Sequence, residues 1–190
     1  MEKPVSGGKY KMRRRWWKYA LVGLVFGIAD WYFLDLMASL GRNTALSDQL
    51  NQTSGLLRLF AVIFLVGLNY GIWLVPVIPV AIIEMKQSQS IRLAAIASAL
   101  TWAVAMAGYY GYYAFLLMFV GLPQLDFMLF SNRFSPDYWT NFWPLFRNLI
   151  LGQFLYWLLI AMGAGSIVGG LSAYLFRRFS SKRRLETIST

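Results

Sequence analysis

The chain contains no cysteine and no histidine. Without thiols there is no disulfide, no thiolate metal site, no cysteine nucleophile and no iron–sulfur ligation. Without imidazole, histidine-ligated haem, copper and zinc are excluded, and so is the Ser-His-Asp arrangement. No thiol reports on the redox compartment. Acidic residues are scarce, 8 against 18 Lys and Arg, and all charged residues together make up 14% of the chain. An ordinary soluble domain carries about 25%. The GxSxG, GxxxxGK[ST] and GxGxxG motifs are absent, as are the GxGD-like motif of intramembrane proteases and the multi-aspartate pattern of membrane phosphotransferases. The sequence therefore names no catalytic residue, no metal site and no cofactor, and gives no support to an enzymatic reading.

Apolar residues fill the space that charge leaves. They make up 58% of the 190 residues, against about 45–50% in a soluble domain. Such a chain needs a solvent other than water. A spanning helix takes about 20 apolar residues at 1.5 Å rise each. Four stretches meet this, about Lys18–Leu40, Leu57–Ile83, Arg92–Gly121 and Arg147–Phe176. The expected fold is an all-α integral membrane protein, a single membrane domain over 1–190 built as a bundle of four transmembrane helices. The basic tails, 1–17 and 177–190, flank it.

The basic residues set the expected orientation. Seven lie in or beside the N-terminal tail (Lys3, Lys9, Lys11, Arg13, Arg14, Arg15, Lys18), two beside the second turn (Lys86, Arg92) and five in the C-terminal tail (Arg177, Arg178, Lys182, Arg183, Arg184). Only Arg42, Arg58, Arg133 and Arg147 fall on the other side. This 14-to-4 asymmetry places both termini in the cytoplasm. The net charge of +10 is thereby read as topology plus attraction to anionic lipids at the cytoplasmic face, not as nucleic-acid binding. The expected location is a multi-pass position in a bacterial or archaeal cell membrane. The first apolar run is too long for a signal-peptide core and reads as a retained helix, anchored by Trp16 and Trp17.

The connections differ in character. Gly41–Leu56 is polar and outer, and its Asn51-Gln52-Thr53 matches a glycosylation sequon. Glu84–Ile91 is a tight cytoplasmic turn. Leu122–Phe146 is the longest loop. Its Pro136–Phe146 part, PDYWTNFWPLF, is expected as a short helix or extended segment in the outer interface, where aromatic rings collect; a lid over a cavity is the alternative.

Two kinds of feature bear on packing. Gly23 and Gly27 form GxxxG in the first helix, and Gly165 and Gly169 form it in the fourth. Small residues let helix backbones approach closely in lipid. They serve either this bundle or an interface with a second copy or another membrane protein. In WLVPVIPVAI, Pro76 and Pro79 each remove one N–H and leave the carbonyls of Ile72 and Val75 without their helical donors. A kink is expected there, either structural or a hinge.

The polar residues inside the spans are the candidate site. Asp30 lies near the middle of helix one and Asn69 near the middle of helix two, at matching depth. Asp35, Tyr109, Tyr112 and Gln153 fall in the outer half. A charge at mid-bilayer costs at least about 2.5–3.5 kcal/mol, so such residues face an interior or a cavity. Asp30 and Asp35 are about 140° apart round a helix and cannot share a proton across one face. Asp30 is read either as interhelical glue to Asn69 or as part of a substrate or ion site. Glu84 is expected in a rim salt bridge with Lys86 or Arg92. Two functions follow from these features: a transport-type protein with a polar midplane site, or a non-catalytic accessory or scaffold subunit of a larger membrane complex.

Overall fold

The computed structural model describes residues 7–41, 55–121 and 133–188. Residues 42–54 of the Gly41–Leu56 connection, with its sequon, residues 122–132 of the Leu122–Phe146 loop, and the side chain of Asn69 lie outside the described residues. Among the described residues the regular structure is helical: α1 Gly7–Gly41, α2 Gly55–Gly71, α3 Leu74–Ser88, α4 Ile91–Phe119, α5 Pro136–Leu145 and α6 Gln153–Ile188. A π-helical stretch, Phe146–Gly152, joins α5 to α6. Three helical segments are long and apolar enough to cross a membrane: Arg15–Ser39, Ile91–Phe119 and Pro136–Ser180.

The expected second span, Leu57–Ile83, is not one continuous helix. It is divided into α2 and α3 at Ile72 and Trp73. The cause is local. Pro76 has no N–H for the Ile72 carbonyl, and that carbonyl accepts instead from the Val75 N–H at 3.0 Å. This shorter bond ends the α-helical ladder of α2 and starts α3 afresh. Pro79 lies inside α3. The helix ends at Gln89, whose backbone is left-handed with φ 54° and whose N–H bonds the Met85 carbonyl at 3.0 Å. Ser90 then caps α4, its hydroxyl accepting from the Leu93 N–H at 3.4 Å. A two-residue connection makes α3 and α4 antiparallel neighbours.

The aromatic stretch of the longest loop is helical, and it is not a separate piece. α5 begins with Pro136 in its first turn, a position where the missing N–H is harmless, and runs through the π-helical stretch straight into α6.

α4 is the hub of the bundle. It packs against α1, α3 and α6, and glycine sets how closely. A Cβ on Gly23 would overlap the Thr101 carbonyl oxygen, and one on Gly27 would overlap that of Ala105. Gly108 of α4 returns the contact, with its own missing Cβ 3.0 Å from the Leu24 carbonyl oxygen. On another face of α4, Gly165 leaves 3.0 Å to the Ala99 Cα, and Gly169 lies directly on the Ser98 side chain. Both GxxxG pairs thus face α4 of the same chain, which leaves neither face room for another helix. α2 differs from the others. Its packing is mainly with the adjoining α3, and Leu56, Phe60 and Phe64 are exposed.

Candidate functional site

Register between α1 and α4 decides the level of the site. The two helices meet at Gly23–Thr101 and again at Gly27–Ala105, so they run parallel. Continuing the same step puts Asp30 level with Gly108 and Tyr109. Here α1 divides its residues between two faces. Gly27 and Trp31 meet α4, with the Trp31 ring 5.6 Å from that of Tyr109 and 4.4 Å from that of Tyr113. Phe26, Asp30 and Leu34, each one turn apart, form the adjoining stripe.

Leu34 of that stripe lines a half-enclosed cavity of about 280 Å³, whereas Asp30, one turn earlier, is not one of its described wall residues. Leu34 of α1, Trp73 at the α2–α3 break, Tyr109 and Trp102 of α4, and Trp157 of α6 contribute to its wall, with Met106, Tyr110, Ile160 and Ala161. Phe26 packs edge-on against Trp73 at 5.6 Å, and Trp73 stacks on Trp102 at 6.4 Å. The break at Ile72 is therefore what delivers Trp73 into the wall. The cavity is aromatic because the α2–α3 break, α4 and α6 each place indoles or phenols in its wall.

Asp30 is 2% exposed, and neither carboxylate oxygen has a hydrogen-bond partner among the described residues. It interacts electrostatically with Tyr109. No basic side chain appears among the wall residues. Trp102 carries a second unmet group, a buried indole N–H without an acceptor among the described residues. A buried carboxylate without hydrogen bonds is costly, and buried unpaired polar groups are few in folded proteins.

The remaining sequence candidates disperse. Tyr109 is in the cavity wall. Tyr112 points elsewhere and exchanges a hydrogen bond with the Tyr32 hydroxyl. Asp35 is exposed. Gln153 lines a separate, more open and more polar groove with Asn141 and Asn148, on the α5–α6 junction. Pro76 is buried in α3 and Pro79 exposed. Asp30 and Tyr109 are thus brought together; Asp35, Tyr112 and Gln153 do not join them at the cavity.

A second polar cluster lies some four turns along α1. Glu84 is 1% exposed, and its partners are not the expected Lys86 and Arg92. The Tyr19 hydroxyl donates to it at 2.8 Å, and Arg15 Nη1 lies 3.6 Å away while also donating to Gln87 at 3.2 Å. Lys86 instead sits over the Phe176 ring, 5.3 Å from its centroid. The reason is geometric: Glu84 faces inward, toward α1, whereas Lys86 is exposed. Sequence spacing alone favours near neighbours, and this pairing spans 65 and 69 residues.

Comparison with known proteins adds no relative: no family model matches the chain, and neither the curated proteins nor the solved structures contain a match.

Proposed function

We propose that this is a multi-pass membrane protein of the transport class, with Asp30 and the aromatic cavity as its solute site. The observation that carries the reading is a 2% exposed carboxylate, with no hydrogen-bond partner among the described residues, at the level of a cavity of about 280 Å³. A purely structural carboxylate would be expected to have found a donor. In this reading α2 and α3 together make a fourth crossing, interrupted beside the site. Broken helices beside a midplane site are a recurrent device of transporters. The 14-to-4 basic asymmetry puts both termini in the cytoplasm, and the Arg15–Glu84–Tyr19 cluster then ties α1 to α3 near that face. The α5 aromatics belong to the outer interface, and the basic tails meet anionic lipids.

The test is flux in proteoliposomes, using a panel of labelled small solutes from each charge class. The wild type accelerates at least one of them, and Asp30→Asn abolishes that acceleration without loss of folded protein. No acceleration of any solute, or flux indifferent to Asp30→Asn, overturns the reading. One observation favours the alternative of an accessory or scaffold subunit: the exposed apolar surface of α2, which packs mainly on α3. That reading expects a membrane protein to co-purify through α2 and expects Asp30→Asn to leave the complex active.

A further inference from the structure

The cavity and Asp30 together specify the charge and shape of what the site holds. The wall is built mostly of ring faces and edges: Trp73, Trp102, Tyr109, Tyr110 and Trp157, with Leu34. An aromatic face carries negative charge density and attracts a cation within about 6 Å. Asp30 adds a carboxylate just outside the wall, one turn before Leu34 on α1 and within electrostatic reach of Tyr109, its oxygens without donors among the described residues. No basic side chain appears among the described wall residues to neutralise it. In a medium of low dielectric the field of that carboxylate reaches across the cavity. An anion would meet both the carboxylate and the ring faces unfavourably. A small hydrated metal ion would find few oxygen ligands, since hard cations want six or more and no metal-binding group of carboxylates exists among the described residues. A neutral hydrocarbon would fill the space and leave the carboxylate uncompensated.

From this geometry we infer that the cavity binds a lipophilic organic monocation, a quaternary or protonated tertiary ammonium bearing an apolar or aromatic group. This rests on the reading of the cavity as a solute site and names the class of solute. The size agrees. A void of about 150 Å³ holds benzene, and this one, at about 280 Å³, takes a benzene ring with a trimethylammonium head. The cation sits over the rings, with Asp30 acting as a counter-charge from just outside the wall, and its apolar groups meet the remaining walls. The arrangement gives Asp30 the compensation that no described side chain supplies.

The probe is benzyltrimethylammonium, compared with neopentylbenzene, which has the same shape without the charge, and with benzenesulfonate. Binding to the full chain in lipid nanodiscs is read from tryptophan fluorescence after subtraction of empty nanodiscs, with calorimetry of the cation as a second measure. Saturable binding of the cation is expected. Neopentylbenzene and benzenesulfonate should bind at least tenfold more weakly. Asp30→Asn should weaken the cation at least tenfold, and Asp30→Glu, which keeps the charge, should stay within about threefold of wild type. Thermal unfolding of each variant checks that it is folded. Equal binding of the cation and neopentylbenzene, or cation binding unchanged in folded Asp30→Asn, overturns the inference. So does the absence of saturable cation binding to the folded wild type. Cation binding that depends on Asp30 but is accompanied by no Asp30-dependent flux sustains the ligand class and overturns the transport reading.

Discussion

Replacing Gly27 with alanine tests the packing of α1 on α4 with the smallest possible probe. The added Cβ overlaps the Ala105 carbonyl oxygen and lies 2.8 Å from its carbonyl carbon. Ordinary contact begins at 3.4 Å, and the obstacle is backbone, which cannot turn aside as a side chain can. The helices must part by more than half an ångström. A gap of about 0.5–1 Å already forfeits a quarter to a half of each dispersion contact. The contacts at risk include Trp31 with Tyr109 and Tyr113, whose centroids are 5.6 and 4.4 Å away. Overpacking costs about 1–3 kcal/mol, and a backbone obstacle belongs at the upper end. Taking about 3 kcal/mol and about 2–4 °C per kcal/mol for a chain of this size, Tm in detergent should fall by about 6–12 °C. The control is the same chemical change at Gly163, where a Cβ meets nothing within 4 Å. There alanine gains about 0.8–1 kcal/mol of helix propensity, and Tm should hold or rise. Equal stability of Gly27→Ala and wild type, or equal loss in both variants, would refute the close-packed α1–α4 contact.

Further predictions follow from the same structure. Tyr19→Phe removes the donor to buried Glu84 and should cost about 1.5–3 kcal/mol, the range for a hydrogen bond to a charged group, read by chemical or thermal unfolding. Arg15→Ala leaves Glu84 without its cation. Losing a fully buried partner costs about 3–5 kcal/mol, and because Arg15 is 25% exposed the loss should be nearer 2, screened by solvent; a neutral effect would show that Tyr19 alone satisfies Glu84. Pro76→Ala returns an N–H to the Ile72 carbonyl and should straighten the α2–α3 junction. Spin-label distances from α2 to α4 should then shorten or sharpen, which the absence of native cysteines makes simple to measure, and an unchanged distribution would locate the cause of the break elsewhere. For topology, single cysteines at Arg184 and Ser47 should react from the cytoplasmic and outer sides respectively, and an outer position for Arg184 would defeat the four-crossing arrangement.

The long helices were legible because hydropathy over about 20 residues measures the very property that selects a spanning helix. The break at Ile72 was legible in kind, since a proline names the carbonyl it orphans four residues earlier. It was not legible in degree, and the stretch that reads as one long span is two helices. Depth along a helix was also readable, which is why Asp30 stood out. Position around the helix was not. Hydropathy fixes the level of a residue and says nothing of which neighbour it faces, so Gln153 and Tyr112 share the outer half with Tyr109 in sequence and face elsewhere in space. The glycine pairs announced close packing without announcing α4 as the shared partner. Spacing along the chain points Glu84 to Lys86 and Arg92. Its real partners, Arg15 and Tyr19, lie on another helix, and only the in-plane order of the helices brings them there. Trp73 gave no signal as a wall residue, since its role depends on the break beside it.

The central claim is that the aromatic cavity beside Asp30 is an accessible site that recognises a cation. A cysteine in place of Ile160 tests it most directly, in a chain that has no other thiol. Ile160 is half-buried in the cavity wall, and its neighbour Leu159 is 72% exposed on the outer surface of α6. A methanethiosulfonate carrying a trimethylammonium group should modify Ile160→Cys, benzyltrimethylammonium should slow that reaction, and adding Asp30→Asn should remove the protection. Leu159→Cys, on the exposed apolar surface of α6, should stay unreactive. If Ile160→Cys is inert, or if it reacts at a rate that neither the cation nor Asp30→Asn changes, the cavity is not the site.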